Sequence, residues 1–258
     1  MRVKDKITIL TGAGSGIGRA TSILFAGEGA IVYASDIDEA GLKETLSLVK
    51  EGKENVHITK VDVTKYDDVR QHVDEVAKKH GRIDCLIVNA GVVRVGQVED
   101  FPEEDYDVLL NVNLKGLFFT CKAAIPYFKK QKSGNIITLA SVAAHIGQNN
   151  HANYCSTKHG VLGFTKALAL DMAPYNVRVN SVSPGATDTP MLRTDVGKEA
   201  VQRGVSFEQI RKEFEEQGVL TRWADPLEIA TGILFLATSD ASYMTGADLR
   251  IDGGWTTR

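Results

Sequence analysis

Tyr154 and Lys158 stand four positions apart in the stretch Tyr-Cys-Ser-Thr-Lys. On a helix that spacing puts a phenol and an ammonium on one face. A phenol of pKa about 10 is a poor base at neutral pH, and a fixed cation beside it favours the phenolate. Bringing it close to neutrality requires roughly 4 kcal/mol of preferential stabilisation. A tyrosine tuned in this way can take a proton from an alcohol or return one to a forming alkoxide. Ser141 lies 13 residues upstream, and its hydroxyl can help to stabilise a developing oxyanion. Y-x-x-x-K alone is common on amphipathic helix surfaces, so its meaning depends on what surrounds it.

A second constellation is Thr11-Gly-Ala-Gly-Ser-Gly-Ile-Gly18, between a β-branched run and a helical stretch. Glycines in such a turn let backbone approach a pyrophosphate, and the helix N-terminus offers free N–H groups and a positive dipole. Gly12, Ser15, Gly16, Ile17 and Gly18 are the candidates for this contact. The spacing is G-x-x-x-G-x-G, and no G-K-[ST] follows, which disfavours a nucleoside-triphosphatase loop. Asp36 ends the next strand-like run, 18 residues past Gly18, where a carboxylate accepts from ribose hydroxyls. A 2′-phosphate there would meet like charge, and neither Ile37 nor Ser15 is basic. The pattern therefore favours NAD over NADP. Asp38 is the better helix cap, which leaves Asp36 for the ligand.

Short apolar runs alternate with helical stretches along the chain. Strands are expected at Ile7–Leu10, Ala30–Ala34, Val56–Val61, Ile83–Val88, Asn135–Ala140, Val177–Val182 and Asp248–Ile251. Among the helices expected between them are Pro102–Leu110, Val112–Lys130 and Tyr154–Met172. Continuous apolar strands between helices predict an α/β fold with a parallel sheet covered on both faces. Asn89-Ala90-Gly91, Ser141 and Pro184-Gly185 all follow strands, so a parallel sheet gathers them at its carboxyl edge, where ligands bind. No linker or composition shift divides the chain, and residues 1–258 are expected to form a single domain. The polar, Gly-dotted stretch 187–223 reads as a substrate lid, with Phe207, Ile210 and Phe214 at helical spacing.

The balance of 30 Lys+Arg against 33 Asp+Glu gives a net charge of −3 over 258 residues. That is no footprint for nucleic acid. Cys85, Cys121 and Cys155 are too sparse for a disulfide framework. No signal segment precedes the first strand, and no run approaches the roughly 18–20 apolar residues of a membrane span. A cytoplasmic protein with no membrane or nucleic-acid partner is expected.

With these motifs in place the chain resembles the short-chain dehydrogenase/reductase family, in its branch of about 250 residues. The resemblance runs from Thr11 to Gly254 and includes Asp62-Val63, Asn89-Ala-Gly91, Asn111-Val-Asn-Leu-Lys-Gly116, Ser141, Tyr154–Lys158, Pro184-Gly185 and a terminal Asp-Gly-Gly. It implies a doubly wound Rossmann fold with a seven-stranded parallel sheet in the order 3-2-1-4-5-6-7. It also implies hydride transfer between NAD and a secondary alcohol or ketone: a sugar, a polyol, a cyclic alcohol or a steroid. Tyr154 would be the general acid/base. Lys158 would lower its pKa and bind the nicotinamide ribose, and Ser141 would bond the substrate oxygen. Asn113 would hold a water in a proton relay. Asp62 would bond the adenine amino group, with Val63 beside it. Asn89, Ala90 and Gly91 would line the adenosine side. Pro184, Gly185 and Thr187 would line the nicotinamide side, and Thr189 would touch its carboxamide. Thr187 departs from the family's usual β-branched apolar residue. A homotetramer or homodimer is the implied assembly, with Tyr106–Leu110 and Leu117–Phe128 as interface or core.

His145 and His151 fall between Ser141 and Tyr154 and, with Met191, are candidate substrate contacts. No histidine spacing suggests a metal site. The competing readings are a 3-oxoacyl-thioester reductase, against which Asp36 argues through its NAD preference, and a non-catalytic NAD sensor or a methyltransferase on the same fold. The last two have no need of Asn113, Ser141, Tyr154 and Lys158 together.

Overall fold

Ile9 and Leu10 are consecutive, both fully buried, and belong to different hydrophobic cores. Successive strand residues point to opposite faces, so an apolar pair of this kind requires cover on both sides of a sheet. Leu86 and Ile87, and Ile136 and Ile137, divide between the two cores in the same way. The computed structural model describes residues 1–257. Its strands are β1 (Ile7–Thr11), β2 (Ile31–Asp36), β3 (Val56–Lys60), β4 (Cys85–Val88), β5 (Gly134–Leu139), β6 (Val177–Pro184) and β7 (Asp248–Ile251). They form one seven-stranded sheet in the order β3-β2-β1-β4-β5-β6-β7, with every pairing parallel. This is the order that the resemblance implied.

One core lies between the sheet and α3 (Tyr66–His80), α5 (Gly116–Gln131) and α6 (Ala152–Met172), through residues such as Val73, Phe128 and Met172. The other lies under α1 (Gly16–Gly27), α2 (Glu39–Leu48) and α9 (Pro226–Ala237), through Phe25, Leu42 and Ile233. β1 pairs with β2 on one side and β4 on the other. The strand order reverses there, and the connections leave in opposite directions and open a crevice.

Two helical segments differ from expectation. The stretches foreseen as separate helices at 102–110 and 112–130 are continuous. α4 (Glu103–Leu110) runs through a π turn (Asn111–Lys115) into α5, with the Gly116 N–H bonded to the Asn111 carbonyl. The joined run of 29 residues is long and apolar enough to cross a bilayer by length and composition. Its acidic first turn and Lys115 made it read as two shorter pieces. In the fold it buries Leu117, Cys121, Ala124 and Phe128 in the first core.

The excursion holds two helices where one was foreseen: α7 (Pro190–Arg203) and α8 (Phe207–Gln217). The unforeseen α7 has a clear start and stop. The Thr189 hydroxyl accepts from Leu192 N–H at 3.2 Å, Pro190 follows, and Gly204 ends the helix at φ +65°. It lacks a clean apolar stripe because Val201 is exposed. Val196 and Ala200 pack with Ile210 and Trp223 in a small third cluster.

His72 on α3 is buried, and its Nε2 has no hydrogen-bond partner among the described residues. Burial pushes its imidazole from 6.5 down to about 4, with Glu75 opposing. The unfolded chain binds this proton at higher pH than the folded one. Stability is therefore lost as pH falls from 6.5 toward 4, on the order of 3 kcal/mol from this group. His72→Leu is expected to flatten the decline of Tm over that range, and an unchanged acid slope in calorimetric melts would refute the assignment.

Candidate active site

Thr11 pairs with Ser35 and Val88, so Gly12 and Asn89 leave the sheet at the same level on either side of the reversal. Asn89 ties the two exits together. Its Nδ2 donates to the carbonyls of Thr11 (3.1 Å) and Gly12 (2.8 Å). The Thr11 hydroxyl accepts from the N–H groups of Asn89 and Ala90. The glycine turn is held so closely that it admits little else. At Gly12 (φ +72°) a Cβ would lie 2.7 Å from Ala90 Cα, and at Gly18 it would collide with the Gly12 carbonyl. The turn leads into the free N-terminus of α1 at Gly16, a cradle for an anion.

Asp36 closes the rim. Its carboxylate accepts from Gly14 N–H at 2.8 Å and Asp38 N–H at 2.9 Å. Asp38 caps α2 by accepting from Ala40 N–H. Arg19, on the first turn of α1, donates to the Gly14 carbonyl and pairs with Glu44 at 2.6 Å.

A cleft of about 370 Å³ runs from this rim across the carboxyl edge of the sheet, within the usual size range of small-ligand sites. Gly12, Ser15, Gly16, Ile17, Gly18, Asp36, Ile37, Asn89, Ala90 and Gly91 line one end. Ser141, Tyr154, Lys158, Pro184, Gly185, Thr187 and Thr189 line its middle, with His151 and Met191 toward the far end. A narrow glycine-rich turn, a helix N-terminus and a carboxylate at the strand end fit a dinucleotide.

Four candidates lie outside the lining: Asp62, Val63, Asn113 and His145. Asp62 bends back in an Asx turn to accept from the Thr64 N–H and hydroxyl at 3.0 and 2.6 Å, and Val63 packs against Gly116. Asn113, in the π turn, has both ends of its amide occupied. It accepts from Val92 N–H (2.8 Å) and donates to the Val92 carbonyl (2.9 Å) and Thr157 hydroxyl (3.1 Å). Its Oδ1 and Lys158 Nζ converge on Gly91, where a Cβ would lie 3.3 and 3.5 Å from them.

His145 is a correction. It is not in the cleft. Its Nε2 sits 2.9 Å from Asp248 and 3.2 Å from Ser183, so polar groups of β6 and β7 draw it away from the substrate side.

α6 presents Tyr154 and Lys158 on one face, as the spacing predicted. The Ser141 hydroxyl accepts from Ala143 N–H. The electrostatics differ from expectation. Lys158 Nζ lies 5.8 Å from the Tyr154 ring centroid and donates to the Leu139 carbonyl at 2.9 Å. Burial pushes the Tyr154 phenol up to about 12, with Ser141 opposing and Asp195 adding to the rise. Burial pushes the Lys158 ammonium down to about 8. The chain's own residues therefore hold Tyr154 as a neutral phenol, a proton donor, and do not by themselves make it a phenolate.

The far wall adds Asp195 from α7, Phe214 from α8 and Trp255 from the C-terminal turn. Phe214 belongs to the helix expected within the lid, whereas nothing singles out Asp195 or Trp255, because no local pattern ties 195 or 255 to a strand end. The Thr-Pro cap at 189–190 was the available signal that a helix bears on the site.

Fold and cleft together define a doubly wound α/β protein with its ligand site at the topological switch point. The sequence profile of the family described as Enoyl-(Acyl carrier protein) reductase matches residues 12–256. The 3-oxoacyl-[acyl-carrier-protein] reductase FabG of Thermotoga maritima is 41% identical over 259 residues, spanning 98% of this chain and 99% of the relative. Cyclopentanol dehydrogenase of a Comamonas species is 33% identical over 255 residues, spanning 99% of this chain and 98% of the relative. The crystal structure of levodione reductase superposes with a TM-score of 0.94 at 31% identity, covering 99% of both chains. The chain belongs to the short-chain dehydrogenase/reductase family, oxidoreductases that use a nicotinamide cofactor.

Gly18→Ala is expected to weaken NADH binding at least tenfold in a fluorescence titration, because the added methyl meets the Gly12 carbonyl. Unchanged affinity would show that this turn does not hold the nucleotide.

Proposed function

We propose that the protein transfers a hydride between NAD(H) and a secondary alcohol or its ketone, of the sugar, polyol, cyclic-alcohol or steroid-like class. The observation that carries this reading is the convergence of Tyr154, Ser141 and Lys158 on one cleft with the Asp36-rimmed glycine turn. Asp36 supports NAD, because its carboxylate at the strand end would repel a 2′-phosphate, and Arg19 is engaged by Glu44.

A nicotinamide held in the cleft would supply or accept the hydride. In ketone reduction the neutral Tyr154 hydroxyl donates its proton to the oxygen that becomes an alkoxide, while Ser141 donates a hydrogen bond to the same oxygen. In alcohol oxidation Tyr154 takes that proton, which requires added positive charge beside it. Lys158 supplies part of that charge when protonated and would bind the nicotinamide ribose. Asn113 anchors Val92 and the start of the segment behind Gly91, positioning this wall and placing its π turn for a proton relay toward Lys158. Asp62 would bond the adenine amino group, with Val63 beside it. Residues 187–223 form the lid, and Met191 and His151 face the substrate. We further assign the protein to the cytoplasm as a homotetramer or homodimer, a role for which the exposed rings of Tyr106 and Phe118 are available.

A second reading, reduction of a 3-oxoacyl thioester, draws support from the relative named for that activity in Thermotoga maritima. NADH formation at 340 nm across alcohols, polyols, hydroxysteroids and 3-hydroxyacyl thioesters, with NAD⁺ and NADP⁺ side by side, separates the two. Preferential turnover of the thioester would replace the first reading with the second.

Tyr154→Phe is expected to lower kcat at least about a thousandfold while leaving NADH affinity within twofold. Activity near wild type would remove Tyr154 from the chemistry. Asp36→Ala is expected to reduce the NAD⁺-to-NADP⁺ ratio of kcat/KM by about tenfold or more. An unaltered ratio in initial rates would refute the ribose contact.

A further inference from the structure

Asp195 is 8% exposed, yet among the described residues no N–H or O–H donates to its carboxylate within hydrogen-bond distance. Its nearest cationic group is His151 Nε2 at 3.7 Å, too long for a hydrogen bond. Both residues line the cleft beyond Tyr154. The carboxylate borders the cleft, and a hydroxyl entering there can donate to it.

His151 is fixed in its own way. Its Nδ1 lies 2.6 Å from the Asn149 carbonyl, which can only accept, so Nδ1 carries a proton and Nε2 faces the gap. Burial works against the second proton, but Asp195, the Asn149 carbonyl and Glu199 together raise the imidazole above its ordinary value. The gap therefore presents acceptor oxygens on one side and, in the charged imidazolium, a donor N–H on the other. A hydroxyl group matches both, donating to Asp195 and accepting from His151. A substrate carboxylate would meet the Asp195 charge, an ammonium would meet the imidazolium, and an apolar edge would leave both groups unsatisfied.

The pair is also close to the reacting oxygen. The His151 and Tyr154 rings are 6.3 Å apart, centroid to centroid, and the Asp195 charge reaches the Tyr154 phenol. The cleft lining also includes the apolar Val142, Met191, Leu192 and Phe214 and the polar Gln148. Asp195 is held in place because the adjoining Val196 and Ala200 anchor α7 on Ile210 and Trp223.

We propose that Asp195 and His151 form a hydroxyl-recognition subsite, and that the substrate is a neutral, compact compound with a second hydroxyl on the carbon beside the reacting one. The substrate class is thus a vicinal diol in oxidation or an α-hydroxy ketone in reduction. This rests on the reading of Tyr154 as the proton-transfer group.

The test compares cyclohexanol, trans-cyclohexane-1,2-diol, 2-aminocyclohexanol and 2-hydroxycyclohexanecarboxylate. NAD⁺-linked kcat/KM is measured for each, together with calorimetric binding to the enzyme–NADH complex. The diol is expected to exceed cyclohexanol at least about tenfold in kcat/KM and to exceed the amine and the acid as well, as one charge-assisted hydrogen bond allows. In Asp195→Ala the diol-to-cyclohexanol ratio is expected to fall toward one. The near-isosteric Asp195→Asn keeps the wall intact should the alanine variant fail to fold, and is expected to lower the ratio part of the way. Equal values for diol and cyclohexanol, preference for the amine or the acid, or a ratio untouched by both variants would overturn the subsite while leaving the hydride-transfer reading standing. Preferential binding of the diol without turnover of any compound would uphold the subsite and overturn the hydride-transfer reading. Neither binding nor turnover would overturn both.

Discussion

The reversal of strand order between β1 and β4 is the constraint on which the rest of the molecule depends. Both strands are buried along their whole length, so neither end can move without disturbing a core on each face. Where they leave the sheet, the glycine turn and Asn89-Ala-Gly91 diverge, and the Asn89 amide bridges them through the carbonyls of Thr11 and Gly12. A side chain on Gly12 or Gly18 would occupy space that this bridge has already closed. The anion cradle, the Asp36 rim and the floor of the cleft are consequences of a single crossing of the sheet.

Charge is scarce inside the cleft, and its scarcity shapes the chemistry. Burial works against the phenolate of Tyr154 and the ammonium of Lys158 at once. Each group is poised in its neutral direction by surroundings that offer little solvation. The lysine keeps a bond to the Leu139 carbonyl and does not reach the phenol directly. Asp195 adds negative charge to the same space. Added positive charge in this space would favour the phenolate form of Tyr154.

The helical run from Glu103 to Gln131 shows how an apolar stretch acquires its meaning from packing. By length and composition it passes for a membrane span. Its buried residues instead fill the core against α3, and the π turn within it orients Asn113 toward Val92 and Thr157. Widening one helical turn changes which side chain faces inward, and a residue that a regular helix would have rotated away becomes the support of the wall behind Gly91.

What the amino-acid order determined by itself was whatever local repetition and end signals encode. The seven apolar runs marked the strands, Tyr154–Lys158 marked one helical face, Asp38 marked a cap and freed Asp36, and the glycine turn marked the nucleotide end. Each of these is set by neighbours in the chain, and the family resemblance added the strand order. Tertiary structure alone decided the rest. His145 turned from the cleft because Ser183 and Asp248 on distant strands bond it. Asp62 was taken up by Thr64. Lys158 bonded a carbonyl 19 residues upstream instead of the phenol one turn away. Asp195 and Trp255 entered the wall from segments in which no local pattern points to α6. Long-range contacts carry no periodicity, so the pocket that chooses the substrate is written in the fold and not in any one stretch of the chain.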